Sequence, residues 1–382
     1  MKNKFYAWKT FLLVMCALAT IAFGDIVCGE PLVQGVSGEI INGNTLVVNG
    51  IGFGIRADFG GTDQYLNYLF EDCEAGVITR NPKWLAGGYG TMVSNNNKVG
   101  SDYSVFHERK LTSKAYTNVF GDIVTSSTRY GIKTDVHDIA PVHNYFVSQW
   151  MRLSDDFGSI DGSSNQVKFL MTTPYASDLT FGKKYFSTAG WTDPPRLYTV
   201  TESGELSHDH GFITDYMPYG TWHRIDIWVS IPDATTGMVD EIKWWIDGQL
   251  IRTGKLTDGY LQDSPEDINE IGLVSFVGFI ANTNDASFSL QTDDHFLDFT
   301  MARVEISACP IWDDTIQVHK EIQLPISWTD SSISVKANLS AFEENTPLYM
   351  YVISSSGTVN FTGFPLQGGS SMVPAILQMN VN

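Results

Sequence analysis

Tyr103-Ser-Val-Phe-His-Glu-Arg109 spaces Tyr103, His107 and Arg109 at even intervals. An extended strand therefore sets all three on one face. An imidazole beside a guanidinium suits proton abstraction next to a carboxylate, with the cation neutralising the acid and the imidazole taking the proton. On a uronate sugar that chemistry is β-elimination. Lys168, on a separate strand candidate, offers a second cation. His107 is the candidate base, and Arg109 and Lys168 are the candidate neutralisers. The same alternation is ordinary on an exposed strand, so the reading depends on these strands lying side by side.

A second set of residues could bind rather than react. Trp150 and Arg152 share a face of one strand, and Trp222, Arg224 and Trp228 share a face of another; Trp245, with Lys243, can join the same sheet. Aromatic faces stack on sugar rings, and guanidinium groups hydrogen-bond to hydroxyl rims. The rival reading is that long loops or the C-terminal zone cover these tryptophans. Asp293-Asp294 precedes a late strand and could give hard oxygen ligands to a structural calcium, or form a solvated turn. Ser207-His-Asp-His210 offers two histidines without a third metal ligand, and reads as a polar loop. Acids such as Asp226, Asp247 and Glu305 have no spacing diagnostic of a glycosidase pair.

The elements that must position these groups are strands. Thirty-four glycines, 13% aromatic residues and few helical patterns indicate an all-β protein. Alternating runs recur at Tyr103 to His107, Asn144 to Leu153, Gln166 to Met171, Arg196 to Thr201, Trp222 to Ser230, Glu241 to Ile246, Ile271 to Ile280 and Phe296 to Ile306. They imply a two-sheet jelly-roll sandwich over residues 61–308. Residues 25–60 form a short N-terminal β element whose Asn42-Gly43 signals a hairpin turn. Residues 309–382 form a small C-terminal β domain or extension, with strands at Glu321 to Leu324, Ser332 to Ala337 and Pro347 to Ser354.

Residues 1–24 read as a signal peptide. Lys2, Lys4 and Lys9 precede an apolar run from Phe11 to Phe23 that is short for a membrane span, and Ala22-Phe-Gly24 suits cleavage. No later stretch is apolar enough to be a transmembrane segment, so a secreted or periplasmic product is expected. The net charge of −19 argues against nucleic acid as a partner, and loss of three lysines with the signal makes the mature chain more acidic still. Cys28, Cys73 and Cys309 remain after cleavage, and Cys28–Cys73 is the expected pair in an oxidising compartment.

Phe146-Val-Ser-Gln-Trp-Met-Arg-Leu-Ser154, Gly220-Thr-Trp-His-Arg-Ile-Asp-Ile-Trp-Val229, Trp244-Trp-Ile-Asp-Gly248 and Asp293-Asp-His-Phe-Leu-Asp-Phe299 carry a resemblance. They are similar to strands of the concanavalin-like jelly roll found in secreted polysaccharide lyases and laminin-G-like glycan-binding proteins. That resemblance implies a polysaccharide partner, and either elimination chemistry or non-catalytic carbohydrate binding and adhesion through the Trp/Arg face. Alginate lyases of this fold carry an Arg-x-Glu-Leu strand and a Gln-(Ile/Val)-His strand. Gln317-Val-His319 matches the second but lies after the jelly roll closes, and is read as coincidental.

Overall fold

The computed structural model describes residues 29–56, 68–71, 84–86, 97–100, 115–120, 132–135, 143–153, 166–175, 186–192, 195–201, 206–230, 241–254, 270–281, 288–339, 342–343 and 345–366. In chain order the strands begin with β1 (Leu32–Ser37), β2 (Thr45–Ile51), β3 (Tyr68–Glu71), β4 (Trp84–Ala86), β5 (Asn97–Gly100), β6 (Ala115–Phe120), β7 (Ile132–Asp135) and β8 (Asn144–Leu153). Next come β9 (Gln166–Tyr175), β10 (Phe186–Thr192), β11 (Pro195–Thr201), β12 (Leu206–Phe212), the short helix α1 (Ile213–Tyr216), β13 (Trp222–Ser230), β14 (Glu241–Ile246) and β15 (Gln249–Gly254). The last are β16 (Glu270–Ala281), β17 (Phe288–Asp298), β18 (Arg303–Ser307), β19 (Lys320–Trp328), β20 (Ser332–Lys336), β21 (Leu348–Ile353) and β22 (Phe364–Leu366). The architecture is all-β, with antiparallel pairing throughout the described residues.

Three sheets result. The first body sheet runs β15-β14-β13-β8-β17-β6-β5, with β3 also pairing to β17. The second body sheet runs β12-β11-β10-β9-β16-β7-β4. A terminal sheet, β1-β2-β20-β19-β18-β21-β22, unites strands from both ends of the chain. Leu46 faces Val335 and Val48 faces Ile333 across β2 and β20, and β1 also lies against β21 and β22. The sheet therefore curls around one core, filled by Leu46, Val48, Phe53, Val304, Ile306, Ile333, Val335, Met350 and Val352. Burying one such side chain contributes about 1.5–3 kcal/mol. The strict alternation of β20, with Ile333 and Val335 buried between partly exposed Ser332 and Ser334 and exposed Lys336, is the period that a one-sided core requires.

Sequence patterning reads Phe296 to Ile306 as one strand, but the chain makes two. Asp298 Oδ1 accepts the Thr300 N–H at 3.0 Å, and Thr300 Oγ1 accepts the Ala302 N–H at 3.0 Å. These side-chain bonds take the place of ladder bonds, so the chain leaves the first body sheet after Asp298 and enters the terminal sheet at Arg303.

The terminal sheet turns its other face toward the first body sheet. Arg303 and Glu305 alternate with the core residues Val304 and Ile306. Ile322 of β19 packs with Phe146, Trp228, Phe296 and Met301, and Trp245 and Leu324 border that cluster.

Candidate functional site

The Trp/Arg face of β8 and β13 lies under the terminal sheet. Register pairs Arg224 with Trp150, Trp222 with Arg152, and Trp228 with Phe146. Trp228 keeps 6% of its surface exposed, Trp150 5% and Arg224 3%. Trp222 and Trp245 are half-buried, and Arg152 is buried with Nε donating to the Gly220 carbonyl at 2.8 Å. The expected open sugar platform is therefore corrected to a sheet–sheet contact: Trp228 belongs to its apolar core, and Trp150 lies 5.1 Å from the His319 ring.

The arginine was placed on that face for a different task. Arg224 donates to both Asp226 carboxylate oxygens at 2.8 and 2.7 Å, and to both Glu305 oxygens at 3.2 and 3.0 Å. It also reaches the Lys320 carbonyl at 2.8 Å and Ser148 Oγ at 3.1 Å. Arg303 Nε donates to Glu305 at 2.5 Å while its guanidinium lies 4.2 Å from the Phe146 ring centre. Burial would raise the Glu305 carboxyl, but Arg224 and Arg303 beside it overcome burial and hold it at about 2. Burial would lower the Arg224 guanidinium, yet Asp226 and Glu305 hold it above its ordinary value. Lys320, whose Nζ sits 3.7 Å from the Trp312 ring centre, is lowered to about 8 by burial, partly offset by Glu305. Every charge in this cluster has a partner, as a buried ionic network must.

The other sequence candidates separate. His107 and Arg109 lie outside the described residues, as do Cys28 and Cys73 of the expected disulfide and the signal segment. The flanking strands β5 and β6 belong to the first body sheet, whereas Lys168 lies in β9 at the middle of the second. Asp293 and Asp294 are buried at a bulge between β17 and β8, where Asp293 Oδ1 accepts the Asp294 N–H at 2.8 Å. Among the described residues no group of three or more His, Cys, Asp or Glu could hold a metal. His208 and His210 fall within strand β12 rather than a loop. Gln317 Nε2 donates to the Tyr216 carbonyl at 2.7 Å, and His319 pairs with Glu321 at 2.9 Å, so both serve the junction between sheets.

A row of cross-strand pairs that sequence reading missed crosses the second body sheet. Register sets Gln166 opposite Trp191 and Lys168 opposite Ala189. Trp191 in turn faces Arg196, and Arg196 faces Phe212. Gln166, Trp191, Arg196 and Phe212 therefore hold successive paired register positions across β9 to β12, with Lys168 two residues along β9 from Gln166. Phe212, the last of this row, is 44% exposed. Strand β10 escaped notice because Ser187, Thr188 and Gly190 interrupt its apolar pattern and Pro194-Pro195 follows it, a composition that reads as loop.

No family model matches the chain, and no curated protein sequence matches it. Solved structures similar to it include a chain described with the endo-acting O-glycanases that human gut microbiota express to initiate mucin breakdown, at 10% identity and TM-score 0.39, covering 60% of this chain and 98% of that one. Basic winged bean lectin with Tn-antigen is similar at 12% identity and TM-score 0.34, covering 60% and 97%. Alginate lyase vAL-1 from Chlorella virus is similar at 10% identity and TM-score 0.34, covering 48% and 84%. None of them transfers a residue assignment to this chain. Among the described residues no helix is long and apolar enough to cross a membrane.

Proposed function

We propose that this is a secreted protein directed at polysaccharide, and that the Lys168–Trp191–Arg196 face of the second body sheet takes an acidic glycan. The register supports the reading, because it aligns two cations, an amide and a tryptophan across adjacent strands and ends on exposed Phe212. Tryptophan supplies a stacking surface, and arginine and lysine supply carboxylate partners within an otherwise acidic chain. The enzymatic form of this function is β-elimination, with His107 as base and Arg109 and Lys168 as neutralisers. Carbohydrate binding without cleavage is the alternative use of the same face.

Retention on immobilised alginate, pectate and glucuronan tests the binding claim, with ultraviolet absorbance of unsaturated products as the readout for elimination. K168A/R196A should lose most of the retention, whereas K243A on the first body sheet should not. Retention unchanged in K168A/R196A would overturn the proposed face. Product formation that disappears in H107A makes the protein a lyase; retention without product makes it a binder.

A further inference from the structure

Thr221, His223 and Asp247 form a second polar constellation at the mouth of β13, apart from the glycan face. Thr221 Oγ1 lies 2.7 Å from His223 Nε2, and His223 Nδ1 lies 2.7 Å from Asp247 Oδ2. The remaining Asp247 oxygen accepts the Arg224 N–H at 2.7 Å. Thr221 and His223 are two apart on an extended chain and therefore share a side. The Asp comes from the turn between β14 and β15, where Asp247 has φ 48° and Gly248 has φ 77°. Such a turn needs positive φ at both central residues, which an Asp-Gly pair accepts. The turn is held further by the Asp247 N–H donating to the Arg224 carbonyl at 2.8 Å and the Val318 N–H donating to the Asp247 carbonyl at 2.7 Å. A carboxylate so fixed is a good orienter for an imidazole.

Access is graded along the row. Thr221 is exposed, and the side chains of His223 and Asp247 retain 10% and 16% of their surface. The Pro218 carbonyl competes for the threonine proton at 2.7 Å and lies 3.2 Å from His223 Nε2. Rotation about the Cβ–Oγ bond moves the hydroxyl hydrogen from that carbonyl to the imidazole, with no heavy atom displaced.

From this geometry we infer that Thr221, His223 and Asp247 are a nucleophile, base and orienter that cleave carboxylic esters. With Asp247 accepting Nδ1–H, Nε2 takes the Thr221 proton as Oγ1 bonds to the acyl carbon. The tetrahedral intermediate then breaks its bond to the alcohol oxygen, which receives the proton from Nε2. Water adds to the acyl-threonine, giving its proton to Nε2, and that proton returns to Oγ1 as the carboxylic acid departs. The inference is independent of the polysaccharide reading, since simple esters suffice to test it and glycan retention reports separately on the other face.

The test measures p-nitrophenyl acetate hydrolysis by the full chain, together with labelling by a fluorophosphonate probe mapped to peptides by mass. The expected outcome is a label on the Thr221 peptide, labelling lost in T221V and kept in T221S. D247N, whose asparagine tolerates the positive φ, should slow hydrolysis by about 10²–10⁴-fold, the range for a general base that loses its function. Melting profiles verify that each variant is folded. Wild-type protein that neither labels nor exceeds heat-denatured protein in hydrolysis would overturn the proposal, as would hydrolysis undiminished in folded T221V.

Discussion

Replacing Arg224 with methionine separates a buried ionic network from a surface one. The guanidinium supplies both hydrogen bonds made to Asp226 and two of the three made to Glu305. The side chains of Arg224 and Asp226 are 3% and 5% exposed, so water cannot replace what is lost. Removing one member of a buried pair costs about 3–5 kcal/mol, because the survivor stays buried and unpaired. By contrast, Lys243 and Glu241 approach to 2.8 Å with side chains 31% and 30% exposed. That pair contributes roughly 0–1 kcal/mol. Equilibrium urea unfolding followed by tryptophan fluorescence compares R224M with K243M at matched slopes. R224M/D226L should recover part of the loss, since an apolar replacement of both charges removes the unpaired carboxylate. If R224M costs under about 1 kcal/mol, as K243M should, the network does not hold the sheets together and the reasoning fails.

Trp228→Ala empties a site among Phe146, Phe296, Met301 and Ile322 and should cost about 3–5 kcal/mol in the same assay; a loss below about 1 kcal/mol would place that ring at the surface. Asp298, paired with Arg56, has its carboxyl pushed up to about 6 by burial, against the pull of the guanidinium. The folded chain thus holds a proton between the ordinary 3.8 and about 6 that the unfolded chain has released, so this contribution to stability is complete below that range and declines as pH rises through it. D298N should flatten the stability profile across this window, and an unchanged slope would contradict the assignment. Gly50→Ala would put a methyl 2.0 Å from the Leu32 carbonyl oxygen and 2.5 Å from the Phe53 ring. Its unfolding midpoint should drop by an amount comparable to a core substitution, about 1–3 kcal/mol.

Strands were legible where alternation was clean. Asn144 to Leu153, Trp222 to Ser230 and Glu241 to Ile246 match β8, β13 and β14, since branched and aromatic residues at every second position satisfy a pleated sheet. The destination of each face was not legible. Trp222, Arg224, Asp226 and Trp228 read equally as a sugar platform or a covered surface, and Glu305, the partner that decides between them, lies 81 residues away. Such pairing depends on which sheets meet, and local pattern carries no record of it. The union of β1 and β2 with β20 was hidden for the same reason, because hydrogen bonds across the terminal sheet join the two ends of the chain. Thr221, His223 and Asp247 were in view as strand and turn residues, but only the β13–β14 register brings the turn to the imidazole.

Hydroxyl-radical footprinting of the tryptophans, with and without a uronate polysaccharide, tests the central claim most directly. Trp150 and Trp228 should label weakly in both states, because the terminal sheet covers them. Added polysaccharide should reduce labelling at the Trp191 peptide alone. Strong labelling of Trp228 that polysaccharide suppresses, with Trp191 unaffected, would contradict the account and return the glycan to the first body sheet.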